Sequence, residues 1–192
     1  YGAYARYYID TSKLSNNTTL QEYPSFQYHR FLNNLFDERL RYSFDASFHN
    51  FYRPAGSYAN ELNLDLPISY HNAFFGDFLH FTFTERFYAS FANYSNDPER
   101  NHEHYFRNTH DFNLYTDLSK AYENFFHTLN LGVNYVLPGV KSGKITQDYL
   151  EEYDKENEHT SLYAVQYFYN NEGQKKLKHR ISLDYLNKQN EF

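Results

Sequence analysis

No cysteine, methionine or tryptophan occurs in the 192 residues of this chain. Without cysteine there is no disulfide framework and no thiolate metal site. No apolar run is long enough for a membrane helix, and mean hydropathy is only -0.86. No secretory leader opens the chain, and Tyr1 already reads as strand, so an internal fragment with its targeting signals elsewhere is expected. Basic residues are outnumbered: 18 Lys and Arg face 24 Asp and Glu, for a net charge of -6. That balance argues against a nucleic-acid partner, which needs a basic stripe. A Ser-His-Asp arrangement, nucleophile elbow, HExxH and P-loop are all missing, and Gly139, Gly143 and Gly173 are isolated. Neither an enzyme nor a cofactor is expected.

What the chain has instead is aromatic alternation. It carries 22 Tyr and 19 Phe. Leu40, Tyr42, Phe44, Ala46 and Phe48 alternate with Arg41, Ser43, Asp45, Ser47 and His49. Leu62, Leu64, Leu66 and Ile68 alternate with Glu61, Asn63, Asp65 and Ser69. A period of two means extended strands with one apolar and one polar face. Further along, Phe81, Phe83, Phe87 and Phe91 oppose Thr82, Thr84, Arg86 and Ser90. Phe106, Phe112 and Leu114 then oppose Arg107, Asp111 and Asn113, and Leu129, Leu131 and Val133 oppose Thr128, Asn130 and Asn134. The stretch around 160–170 is ambiguous, since Tyr163, Val165, Tyr167 and Tyr169 face one way and Leu162, Ala164 and Phe168 the other.

Nine strands are expected, near 1–10, 20–32, 38–52, 57–71, 77–94, 104–118, 123–138, 160–170 and 177–187. Several reach the roughly 9–11 residues that cross a bilayer as a tilted strand, longer than the usual soluble mode of about 5–6. Connections alternate in length. Those at 11–19, 95–103 and 139–159 are long and polar, while 33–37, 72–76, 119–122 and 171–176 are short; the short 53–56 is the exception. Long loops on one side and tight turns on the other mark an outer-membrane barrel. Tyr52, Tyr58, Tyr70, Tyr88, Tyr94, Tyr105, Tyr122 and Tyr135 sit toward strand ends, as girdle aromatics do. The expected fold is an all-β antiparallel up-and-down meander, an arc of a large transmembrane β-barrel that fills residues 1–192.

On that reading Leu40, Tyr42, Phe44, Phe48, Leu62, Leu64, Leu66, Ile68, Phe81, Phe83, Phe112, Leu114, Leu129, Leu131 and Val133 face lipid. Arg41, Asp45, Asp65, Arg86, Arg107 and Asp111 line the lumen as a hydrophilic conduit. Other polar clusters invite weaker readings. His102, Glu103 and His104, with His110 nearby, are metal-ligand types, but a solvated loop is the expectation. Asp148, Glu151, Glu152, Asp154, Glu156 and Glu158 form an acidic run able to hold hard cations, again outweighed by a solvated loop. Thr146 could cap a short helix there, with Tyr149, Leu150 and Tyr153 on one face.

The stretch from Leu20 to His29 (LQEYPSFQYH) resembles a barrel segment of the LptD family of lipopolysaccharide-assembly outer-membrane proteins. So do Asn63 to Ser69 (NLDLPIS) and His127 to Pro138 (HTLNLGVNYVLP). Tyr167-Phe168-Tyr169, Asn171-Glu172-Gly173, and His179, Ile181 and Ser182 follow in the same order. The resemblance runs from about 20 to 185, and the Leu66-Pro67 step inside a strand is its most telling part, because proline cannot donate to a ladder. It implies part of the translocon that inserts lipopolysaccharide into the outer leaflet of the Gram-negative outer membrane. In that family a barrel of about 26 strands follows a periplasmic jellyroll, an LptE-like lipoprotein plugs it, and periplasmic bridge proteins deliver the lipid to the jellyroll. The jellyroll, the family's cysteines and a recognisable closing strand are not in this sequence. Two rival readings are a general porin or receptor barrel and a soluble β-sheet adhesin.

Overall fold

The computed structural model describes residues 1–144 and 158–186. Nine strands form one sheet in sequence order: β1 (Gly2–Arg6), β2 (Gln21–Asn34), β3 (Leu40–Tyr52), β4 (Tyr58–Phe74), β5 (Leu79–Ser95), β6 (His102–Ala121), β7 (Phe125–Lys144), β8 (His159–Asn170) and β9 (Lys175–Leu186). Every pairing is antiparallel and joins sequence neighbours. Among the described residues, strands touch only the strands beside them, and no second layer covers either face. The result is an open all-β meander, consistent with an arc of a barrel and unlike a two-sheet sandwich.

Strand boundaries differ from expectation where side chains replace ladder bonds. β1 stops at Arg6 rather than near residue 10, because Gln21 clasps the backbone of Tyr8. The Tyr8 amide donates to Gln21 Oε1 (2.7 Å), and Gln21 Nε2 donates to the Tyr8 carbonyl (3.0 Å). β7 passes through Pro138-Gly139 and ends only at Lys144. Pro138 and Gly139 read as a turn signal, but a bulge absorbs them and pairing resumes at Arg107↔Lys141. β6 begins at His102, so the connection expected over 95–103 shrinks to 96–101. With 53–57 also short, sorting of loops by parity is weaker than the sequence suggested. The helix expected after Thr146 lies outside the described residues.

Burial is sparse and one-sided. The hydrophobic residues that are buried are Phe51, Ala59, Ala92, Tyr94 and Val136. Gln21, Glu22, Ser25, Glu61, Ser90 and Thr109 are buried as well. All of these except Gln21, which pairs with Tyr52, belong to the face that the alternation marks as polar. Large apolar side chains such as Phe26, Leu62, Phe91, Leu114, Leu131 and Leu162 are exposed on the other face.

Candidate functional site: the polar face of the sheet

Register decides which residues share a face, because directly paired residues in an antiparallel ladder project the same way. Phe48↔Leu62↔Phe91, Phe83↔Phe112↔Tyr135 and Leu114↔Val133↔Leu162 run across the sheet. The fifteen apolar positions named from the sequence share this one face. Arg41, Asp45, Asp65, Arg86, Arg107 and Asp111 share the other. The ambiguity in β8 is resolved: Leu162, Ala164 and Phe168 join the apolar face, and the tyrosines join the polar one through Gly132↔Tyr163. Gly132 is required there, since a Cβ would lie 2.4 Å from the Tyr163 ring.

The girdle expectation fails for three tyrosines. Tyr88, Tyr94 and Tyr105 pair with Asp65, Ala59 and Ser90 respectively, which puts them on the polar face. Tyr52, Tyr58, Tyr70 and Tyr135 do share the apolar face, and Tyr52 meets Tyr58 with centroids 5.6 Å apart. The parity of a strand, not closeness to its end, sets where a ring points.

The polar face is a ladder of cross-strand polar pairs, on which His80 Nδ1 and Asn134 Oδ1 are buried without a hydrogen-bond partner. Asp45 and Asp65 are directly paired, an arrangement of like charges that costs stability unless countered. Each has its own counterpart. Asp45 meets His29 Nδ1. Asp65 accepts a forked pair from Arg86, Nε to Oδ1 at 2.9 Å and Nη2 to Oδ2 at 2.6 Å. Toward the short turns Ser69 meets Thr84 (2.8 Å) and His71 meets Thr82 (3.1 Å). The Tyr163 hydroxyl donates to Asn113 (3.0 Å), and Asn130 donates to Asp117 (2.6 Å).

Toward the longer connections the same face closes over itself. Glu22 accepts from the Tyr4 hydroxyl (2.8 Å) and Ser25 (3.0 Å), and its Oε1 lies 2.7 Å from His49 Nδ1. Arg6 sits 3.4 Å from the other oxygen. Side chains from three strands are thus organised around one carboxylate, which ties the short β1 to β2 and β3. Beside it, Ser90 donates to buried Glu61 (3.3 Å), Tyr88 donates to Asn63 (3.0 Å), and Tyr94 donates to Glu103 (3.1 Å). Arg107 lies over the Tyr88 ring, 5.5 Å from its centroid. This network was missed from the sequence, because its members come from six strands and nothing local marks them.

The apolar face carries a polar island that strand alternation also hides. Glu85 stands midway between Leu79 and Phe91, in the row Ile68↔Glu85↔His110↔Leu137. One carboxylate oxygen accepts from Asn108 Nδ2 (2.5 Å), and the other meets His110 Nδ1. A smaller chain joins His127, Gln166 and His179 (3.2 and 3.1 Å) near the short turns. The breaks at Glu85, Asn108 and His110 in otherwise apolar columns are the signal that could have found the first island.

The histidine group does not converge. His102–Glu103–His104 lies inside β6, not in a loop, because these residues continue the ladder opposite Asn93, Ala92 and Phe91. Alternation then sends Glu103 to the opposite face from both histidines, and His110 is taken by Glu85. Among the described residues no three His, Asp or Glu side chains are placed to hold a metal. Glu158 accepts from the Tyr135 hydroxyl (2.9 Å); the remainder of the acidic run lies outside the described residues. In the connections, Asp10 is lowered to about 2 by hydrogen bonds from Ser12 and Lys13. Asp97 is held below the usual carboxylate range by Arg100, whose Nη2 is 2.7 Å away.

A one-layer sheet with a hydrogen-bonded polar face and an uncovered apolar face can separate two solvents. It presents no converged nucleophile, base and oxyanion donor among the described residues. Compared with known proteins, the chain matches no family model and no curated sequence.

Proposed function

We propose that the chain is part of the wall of an outer-membrane β-barrel, and within that class part of the lipopolysaccharide-inserting translocon of Gram-negative bacteria. The observation that carries the first step is the inverted burial. An apolar sheet face must be covered by something, yet here the nine described strands leave it open while the polar face holds all the sheltered residues but Gln21. Lipid is the cover that fits strands of 12 to 20 residues carrying exposed Leu and Phe. A soluble adhesin of this size would bury that face against a second sheet. The polar face then lines an aqueous lumen.

The second step rests on the resemblance through residues 20–185. Its partners would be lipopolysaccharide, an LptE-like plug lipoprotein inside the barrel, and the periplasmic bridge proteins that act through a jellyroll domain. The barrel wall performs no covalent step; it shelters polar headgroup or plug contacts on the side of Asp65 and Arg86. A general porin is the second reading, favoured by the generic polarity of that face.

A photo-crosslinking residue placed at Arg107 or Asn113 in the full-length protein, expressed in cells, separates these readings. Capture of lipopolysaccharide or of a plug lipoprotein from the polar face is the expected result. Capture of neither, with free passage of small hydrophilic solutes, favours the porin. Recovery of the protein in the soluble fraction rejects both.

A further inference from the structure

Apart from register shifts at Tyr4/Arg6, Glu22/Ser25 and Phe168/Tyr169, the irregularities of the sheet lie on one row of paired residues that crosses six strands. In β2, Phe31 and Leu32 form a bulge opposite Ser43, since pairing steps from Arg30↔Phe44 to Asn33↔Tyr42. Ser43 lies opposite Pro67, and there the β3–β4 ladder is interrupted between Tyr42↔Ile68 and Asp45↔Asp65. Pro67 pairs with Arg86, Arg86 with Thr109, and Thr109 with Pro138. Immediately beyond Pro138, Gly139 and Val140 bulge opposite Asn108. Two bulges and two prolines thus share one row. Each removes ladder bonds or bends its strand.

We infer that this row is a transverse hinge built into the sheet, about which the half bearing the longer connections tilts as a unit. Three features carry this. First, β1 lies wholly on one side of the row, and β8 and β9 wholly on the other, because β1 pairs only with Glu22–Gln27 and β8 reaches only Val136. The row therefore runs from one margin of the sheet to the other, and regular pairing straddles it only in β4–β5–β6. Second, the half with the longer connections is internally cross-linked by the Glu22–His49, Glu61–Ser90 and Tyr94–Glu103 contacts, so bending concentrates at the row.

Third, the row is held rather than frayed. The Val140 amide, displaced by the bulge, donates to Asn108 Oδ1 (2.7 Å). Asn108 Nδ2 donates to Glu85, whose second oxygen meets His110. A Cβ at residue 139 would lie 2.5 Å from Asn108 Oδ1, so glycine is needed for the side chain to reach across. A polar island in an apolar face is costly; here it replaces a lost ladder bond and lets the sheet bend without leaving an amide unpaired.

The inference does not depend on a membrane or on lipopolysaccharide. Hydrogen exchange read residue by residue tests it, in detergent micelles or in buffer, whichever keeps the whole protein dispersed. Amides of Ser43 and Phe44 should exchange on the order of 10-fold faster than those of Ala46 and Phe48, and Val140 should stay protected. Asn108→Ala should raise exchange at Val140 about 10-fold and leave Leu131 and Val133 unchanged. Because the chain has no cysteine, paired cysteine labels report bending cleanly. Labels at Asn60 and Ser119, across the row, should give a broader distance distribution than labels at Asn72 and Ser119 on one side. Pro67→Val with Pro138→Val should narrow the first. Equal exchange along the row and its flanks, or equal label widths in the unmodified pair, overturns the hinge whether or not the variants fold.

Discussion

Strand β4 shows two chemistries on one backbone. Leu62, Leu64 and Leu66 find apolar neighbours in β3 and β5, and Ile68 does in β3, but among the described residues nothing lies above them. Glu61, Asn63 and Asp65, one residue away in each case, are engaged by Ser90, Tyr88 and Arg86. In a soluble domain the apolar set would hold the core and the polar set would be solvated. The reversal teaches that this sheet gains its specificity from polar cross-strand pairs, while its apolar face contributes only once something apolar covers it.

The sharpest way to break that contrast is to put charge on each face. Leu64→Arg and Phe44→Arg are expected to impair assembly by about 2–4 kcal/mol, the cost of arginine against hydrocarbon near a bilayer midplane. Folded fraction, followed by heat-modifiable migration of the full-length protein, checks this. Asp65→Arg should cost about 1 kcal/mol or less, because the group it leaves, Arg86, is half exposed and can turn to water. Equal damage on both faces would favour a two-sided soluble core.

Within the polar face, the sheltered end should resist change more than the open one. Ser90 is fully buried, so Ser90→Leu should cost roughly 1–3 kcal/mol through overpacking against Glu61. Denaturant titration measures it. Arg86→Met, on the open part of the ladder, should cost about 0–1 kcal/mol.

The smallest effect is expected in the connections. Asp97 has a folded-state pKa lowered by Arg100. Its contribution to ordering 96–101 is therefore present above the ordinary carboxylate pKa and is lost as pH falls through the lowered value. Amide exchange at Glu99 and Arg100, which both donate to Asp97 Oδ1, should quicken below that value relative to a neighbouring strand. Asp97→Asn should remove the pH dependence.

Particular elements show where sequence reading stopped. Strand number and order were legible because period-two alternation is a local property of each segment. Faces were legible in β3 over 40–49 and in β4 over 61–66, where apolar and polar residues alternate strictly. They were not legible in β8, where both sides carry aromatic or aliphatic residues, and only pairing with Gly132 and Val133 settled them. Pro138-Gly139 misled for a related reason. Those residues end a strand unless a partner supplies a bulge, and Asn108, some thirty residues earlier, does so.

What the amino-acid sequence determined by itself is therefore the meander: nine amphipathic segments joined by turns, since side-chain alternation and turn chemistry act over a few residues. Only the tertiary structure decided the rest. Register brought Glu22 to Tyr4 and His49, stacked Glu85 with Asn108 and His110, and lined up Ser43, Pro67, Arg86, Thr109 and Pro138. The physical reason is that register is set by the sum of all cross-strand pairs, and a shift of one residue would send every side chain of a strand to the other face.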